Sequence, residues 1–248
     1  ASATATGSLA CGRGAKASGT DSTAVGVNAT ASGKQSSAFG NGASAHGNSS
    51  TATGDSSTAE GDGSSAFGDS AYASGDGSTA LGQNSTASGL NATAVGYGTT
   101  AAGDHSLALG DSASAVGSND IAMGNGATTG GSAGNNIAIG TGAYAGSYYG
   151  GNIAIGKNAR AAGAGKYTMA LGRGASADGK YAIAVGNGAV ASNNLSMALG
   201  AHATAAGSVS TAVGEYSVAG DAGATAVGAF SYATAAESTE LGFSAFAT

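Results

Sequence analysis

Glycine occupies every seventh position from Gly12 to Gly124, and alanine stands two residues before each of these glycines, in seventeen consecutive Ala-x-Gly steps. Self-similarity this strict dictates a repeat architecture, in which each unit buries its apolar face only by stacking on its neighbours. The residue between alanine and glycine shows that seven is half of the true period. At alternate steps it is Cys11, Val25, Phe39, Thr53, Phe67, Leu81, Val95, Leu109 and Met123. At the steps between, it is Ser18, Ser32, His46, Glu60, Ser74, Ser88, Ala102 and Val116. The unit is therefore fourteen residues long, with one mostly apolar half and one mostly small or polar half.

A heptad invites a coiled coil, and the chemistry refuses it. Glycine inside a helix costs about 1 kcal/mol relative to alanine, and here it would recur every two turns. Coiled coils also need two apolar knobs per heptad with charged flanks, whereas only 9% of this chain is charged. Collagen needs glycine at every third place with abundant proline; the chain contains no proline. A disordered chain has high net charge and few apolar residues, but here the net charge is -6 and Val, Ile, Leu and Phe keep register. Calcium-binding glycine repeats run on nine residues.

A β-solenoid remains, with two short strands and two turns per coil. Each glycine follows a strand, where a turn with positive φ is cheap only for glycine. Asn or Asp often comes next, as at Asn41, Asp55, Asp69, Asp76, Asp104, Asp111, Asn125 and Asn187, and such side chains bond their own backbone in turns. Strand side chains alternate in direction. The alanine two before glycine thus shares the interior face with the residue four before it, which is also small, as at Ser22, Ala29, Ser36 and Ala43. An interior of Ala and Ser makes the roll thin. Each alanine buries little apolar area, at roughly 25 cal/mol per Å², so the backbone ladder between coils carries much of the stability.

The residues one and three before glycine point outward. On one strand they form a stripe that includes Val25, Phe39, Phe67, Leu81, Val95, Leu107, Leu109, Ile121, Met123, Ile137, Ile139, Ile153, Ile155, Met169, Leu171, Ile183, Val185, Met197 and Leu199. On the other strand they are polar, as in Thr30/Ser32, Ser44/His46 and Thr58/Glu60. Seventeen such coils at ~4.8 Å each predict a roll ~80 Å long. Its outer stripe would expose ~800 Å² of apolar surface, more than soluble monomers leave uncovered. The stripe predicts an obligate homo-oligomer packed through these residues.

The unit resembles the head repeat of trimeric autotransporter adhesins, the YadA-like heads of Gram-negative bacteria. Asn136-Ile137-Ala138-Ile139-Gly140 and Asn152-Ile153-Ala154-Ile155-Gly156 carry the resemblance most closely, followed by Asp120-Ile121-Ala122-Met123-Gly124. The final Ser of the family motif is Ala at Ala143 and Ala159. The resemblance covers the whole chain. It implies a left-handed parallel β-roll over 1–248, assembled as a homotrimer. It also implies a virulence-associated role in cell adhesion at the bacterial outer membrane, toward a host surface, a matrix component or other bacteria. The family's signal peptide, heptad stalk and membrane-anchor barrel are not in this sequence, which is therefore expected to be an excised head whose only link to a membrane is an anchor elsewhere.

The repeat breaks in three places. The steps 124 to 140, 140 to 156 and 156 to 172 are sixteen residues, enlarging the coils of 124–172 in the turn after the polar strand. Insertions in solenoids map to loops on one side, often the binding side. Charge segregates as well. Between Lys34 and Lys157 lie eight acids and no base, and then come Lys157, Arg160, Lys166, Arg173 and Lys180. With Tyr148 and Tyr149 these make a candidate ligand-binding belt, fit for an acidic partner such as a sulfated glycan. At the other end, Glu240 stands at an interior position held elsewhere by alanine. A carboxylate does not fit a roll of alanine width, so 235–248 is expected to be an irregular last coil or a transition.

Sites for chemistry are missing. His46, His105 and His202 lie in different coils without metal-ligand spacing, no serine has a nucleophile-elbow context, and no cofactor is expected. Cys11 is the sole cysteine, expected to be a buried thiol at an axis-facing position. An acidic chain is a poor nucleic-acid binder. The reading is a non-enzymatic adhesin. An ice-binding solenoid would need Thr-x-Thr in register over many coils, and Lys16, His46, Glu60 and Tyr72 interrupt the polar strand. A purely structural spacer is the remaining alternative. The identity of a host ligand is not written in the repeat.

Overall fold

The computed structural model describes residues 1–131, 133–163 and 167–247. These form parallel β-strands, two per coil, in about seventeen coils. A three-residue strand carries the apolar outer residues, as in Thr23–Val25, and a two-residue strand carries the polar ones, as in Thr30–Ala31. Like strands stack on like: Thr23, Ala24 and Val25 face Ser37, Ala38 and Phe39 one coil on, and Thr30 and Ala31 face Ser44 and Ala45. The expected all-β roll is thus present. The chain divides into two compact units, Ala1–Asp120 and Ile121–Thr248. The division falls where the ladder changes step. Coils of fourteen pair Ser65 with Thr79 in the first unit, and coils of sixteen pair Ile121 with Ile137 in the second.

The interior is the alanine column. Ala24, Ala38, Ala52 and Ala66 are fully buried, as are Ser22, Ser36, Ser50 and Ser64 beside them.

Glycine serves the turns in two different ways, only one of them expected. After the apolar strand, Gly26 has φ of 140°, the region that favours glycine. After the polar strand Gly47 has no positive φ. There close approach alone requires glycine: a Cβ on Gly47 would lie 2.0 Å from the carbonyl oxygen of Gly61 in the next coil, a clash that Gly26 shares, at 2.1 Å from Gly40 O. In both turns the residue two places after the glycine is left-handed as well, as at Asn28 and Gln35, each with φ of 57°. These are held by the neighbouring coil: Asn28 N–H donates to Arg13 O and Gln35 N–H to Thr20 O, both at 2.8 Å.

Some Asx side chains act between coils. Lys34 N–H donates to Asn48 Oδ1 at 3.1 Å, Asn48 N–H to Asp62 Oδ1 at 2.7 Å, and Asp62 N–H to Asp76 Oδ1 at 2.9 Å. Each side chain satisfies a turn donor of the preceding coil, which would otherwise lack a protein partner.

In the enlarged coils the polar strands lengthen to Thr128–Gly130 and Tyr144–Gly146. Larger polar residues fill the interior position next to the widened turn. Asn136 and Asn152 are fully buried there, and Thr168 nearly so. Asn152 Nδ2 donates to Asn136 Oδ1 at 2.9 Å and to Ser147 Oγ at 3.0 Å, and Thr168 Oγ1 donates to Asn152 Oδ1 at 2.7 Å.

The irregular coil expected over 235–248 is regular as far as 247. Thr239, Glu240 and Leu241 stay in register with Thr225, Ala226 and Val227, and Phe246 and Ala247 with Tyr232 and Ala233. Glu240 is accommodated because it is only half-buried, so its carboxylate keeps access to water.

Candidate functional site

Three outer surfaces are available on each coil: the apolar strand, the polar strand and the turns. On the apolar strand the outward residues form continuous rows. In the first unit Phe67 stacks on Leu81, Leu81 on Val95 and Val95 on Leu109. Here the companion row is mostly Ser and Thr, until Leu107. In the second unit the face is two apolar residues wide: Ile121 and Met123, Ile137 and Ile139, Ile153 and Ile155, Met169 and Leu171, Ile183 and Val185, then Met197 and Leu199. These side chains are partly exposed: Leu81 is 46% exposed, Phe39 41% and Ile155 39%, and the other second-unit pairs are half-buried. For the same reason Cys11, expected to be buried, is exposed in the protomer.

The polar strand carries short-range polar pairs. His46 sits between two serines, with Nδ1 2.8 Å from Ser32 Oγ and Nε2 2.8 Å from Ser44 Oγ. Tyr72 Oη donates to Glu60 Oε2 at 2.5 Å. This hydrogen bond, helped by desolvation, pushes the Tyr72 phenol above its usual value. Arg160 pairs with Asp178.

The candidate belt does not come together as one surface. Lys157 and Arg173 lie in the turn after the apolar strand, directly after Gly156 and Gly172. Arg160 is on the polar strand Arg160–Ala161. Lys180 lies in the turn after the polar strand, with Nζ 5.1 Å from the ring centroid of Tyr181. Tyr148 and Tyr149 also occupy that second turn, edge to face at 5.2 Å. Lys166 lies outside the described residues. Lys157 and Arg173 border a shallow notch of about 330 Å³. Among the described residues no group of three His, Cys, Asp or Glu could hold a metal, and no helix is long and apolar enough to cross a membrane.

The family model of the YadA head domain repeat, which spans two copies of the unit, matches in steps of one coil from residues 3–29 to 101–127. It matches again at 164–189, 191–217 and 209–231. The chain belongs to the YadA head family. No curated protein matches it. The YadA head match accounts for the fourteen-residue coils and points to an adhesin-type role on an exposed surface. Residues 128–163 fall outside the matched stretches, and they hold the Asn136 and Asn152 column and both long polar strands.

Two side-chain rows of this YadA head escaped the sequence reading. Both occupy the left-handed position two residues after the turn's first residue, which is glycine except at Asn193. In the turn after the apolar strand, His202 stacks on Tyr216 at 4.8 Å and Tyr216 on Phe230 at 5.3 Å. In the other turn, Tyr167 stacks on Tyr181 at 6.0 Å, and Leu195 and Val209 follow at the same position with φ of 57° and 59°. Bulky and β-branched residues rarely adopt this conformation. The signal was present in the sequence as a fourteen-residue recurrence at that offset.

Proposed function

We propose that this chain is the head of a non-catalytic bacterial surface adhesin, working as a homotrimer packed through the apolar strands. The observation that supports this most is the outward, partly exposed apolar face, two residues wide from Ile121/Met123 to Met197/Leu199. Contiguous apolar rows of this extent mark interaction sites on soluble proteins. Identical coils offer a second copy a face of matching spacing, and closed cyclic symmetry covers the face on every subunit. The interface residues are those of the stripe, from Val25 and Phe39 through Leu81, Leu107 and Leu109 to Leu199. The left-handed sense of the roll and the number three follow from likeness to the family.

As a trimer, the head presents each surface motif three times, so weak contacts to a host cell, matrix component or other bacterium sum to useful avidity. Sedimentation equilibrium tests the assembly: a trimer mass is expected, and Ile139→Asp combined with Ile155→Asp is expected to lower it. A monomer mass for the unmodified head overturns the reading. Attachment of the purified head to host cells tests the role.

A further inference from the structure

Lys157 and Arg173 differ from the other basic residues of their region. They hold the same place in the first turn of consecutive coils, and both are exposed. Beside them runs the left-handed row Asn158, Gly174, Gly188, His202, Tyr216 and Phe230. From Asn158 onward side chains fill this row except at Gly174 and Gly188; before it the row also has glycine at 126 and 142. A Cβ on Gly174 would meet nothing within 4 Å. The missing side chains leave the notch of about 330 Å³, lined by Lys157, Asn158, Arg173, Gly174, Asn187 and Gly188. At one end stands the amide of Asn158. At the other the His202 ring closes over Gly188, where a Cβ would lie 2.9 Å from Nδ1. Arg173 Nε donates to Asn187 Oδ1 at 3.3 Å, which steadies a guanidinium that has four further donors.

The surrounding charge favours an anion. From Ile121 to Gly214 the sequence has five basic residues and one acid, Asp178. That acid is paired with Arg160 on the polar strand, away from the turn that carries the notch. We propose that this notch binds a sulfate or carboxylate group of an acidic polysaccharide, with Lys157 and Arg173 holding the anion and the amides of Asn158 and Asn187 meeting neighbouring hydroxyls. Arg presents a planar fork to such oxyanions and Lys a mobile point charge. Consecutive coils set the two cations roughly 4.8 Å apart along the stack, close enough to share one group or two adjacent ones. The floor is glycine, which lets a sugar ring approach the backbone. No apolar wall is present to anchor a peptide side chain, so the lining suits a hydroxyl-rich chain better than an acidic protein segment. The site deepens the adhesin reading and rests on it only for where the polysaccharide comes from.

The test is binding of the purified head to immobilised heparin. Lys157→Gln with Arg173→Gln is expected to weaken binding at least about tenfold. Gly174→Asn fills the notch with both charges intact. Asparagine already occupies this row at Asn158 with φ of 56°, so the variant folds, and it is expected to weaken binding comparably. Arg160→Gln and Lys180→Gln are expected to change binding by less than about twofold, since those charges lie outside the notch. Desulfated heparin separates the two anions: loss of binding identifies sulfate, and retention identifies carboxylate. Unchanged binding by the double variant, equal losses from Arg160→Gln and Lys180→Gln, or equal competition by polyglutamate overturns the proposal. Cell attachment without heparin binding sinks the notch and leaves the adhesin reading standing. Heparin binding without attachment to any cell does the reverse.

Discussion

The side chain of Asn152 reaches one coil back to Asn136, with Nδ2 2.9 Å from Asn136 Oδ1. Its own Oδ1 meanwhile accepts from Thr168 N–H at 3.2 Å and Thr168 Oγ1 at 2.7 Å. One buried amide thus serves three coils. The arrangement closes the polar gap that two extra residues open in each enlarged turn.

Asn152→Ala removes a partner from Asn136, Ser147 and Thr168 together. Leaving buried polar groups unpaired costs about 1–3 kcal/mol for each group affected. We expect a fall in stability at the upper end of that range, local to the second unit because solenoid stability is a sum of neighbour terms. Urea unfolding at fixed protein concentration, with hydrogen exchange over 136–168, checks both size and place. A loss under about 0.5 kcal/mol would show that the column is not a stabilising network.

Gly47→Ala and Gly63→Ala separate the two roles of glycine. Alanine at 47 would put Cβ 2.0 Å from Gly61 O, a backbone clash, whereas alanine at 63 meets nothing within 4 Å. Gly63 has φ of 67°, so its substitution costs about 1–2 kcal/mol of backbone strain. Gly47→Ala is expected to cost more and to disturb the ladder on both sides. Thermal melting ranks the two variants, and the reverse order would refute close approach as the reason for the polar-strand glycines.

Ser50, Ser64 and Ser78 are fully buried, with hydroxyls that have no hydrogen-bond partner. Ser36, at the equivalent position, donates to Gly33 O at 2.7 Å. Alanine is the interior standard of this fold and fits without strain. Ser64→Ala is therefore expected to be neutral or stabilising, and Ser36→Ala to cost about 1 kcal/mol. Denaturation midpoints of the two variants decide the matter.

The Tyr72 phenol is raised chiefly by its hydrogen bond to Glu60. A raised acid ionises later in the folded than in the unfolded state. Its contribution to stability is present in full below the ordinary tyrosine value, about 10, and is lost as pH rises through the folded value. Spectrophotometric titration near 295 nm should show one late phenol that Tyr72→Phe removes. Glu60→Gln should bring it back toward the ordinary value. Because the pair is largely exposed, the stability effect is expected to be small and to weaken with salt.

Much of the roll was legible in the residues. Ala24 and Ser22 inside, with Thr23 and Val25 outside, follow from period-two alternation, and a fourteen-residue period names the residue that each one stacks on. The belt was less legible. Lys157, Arg160 and Lys180 lie close in sequence, but a coil turns through two strands and two turns within that distance. Arg160 is thereby placed against Asp178 and Lys180 over Tyr181, and among the described residues Lys157 is left beside Arg173.

The sequence by itself determined the period, the narrow alanine interior, the polar and apolar strands, and membership of the YadA head family. These are properties of local geometry repeated at a fixed step, so counting residues recovers them. Only the tertiary structure decided why Gly47 must be glycine, how Asn152 closes a widened turn, where one compact unit gives way to the next, and that glycines at 174 and 188 open a notch. Each depends on a distance between coils, and an approach of 2.0 Å or an empty space of several ångströms looks the same in one dimension.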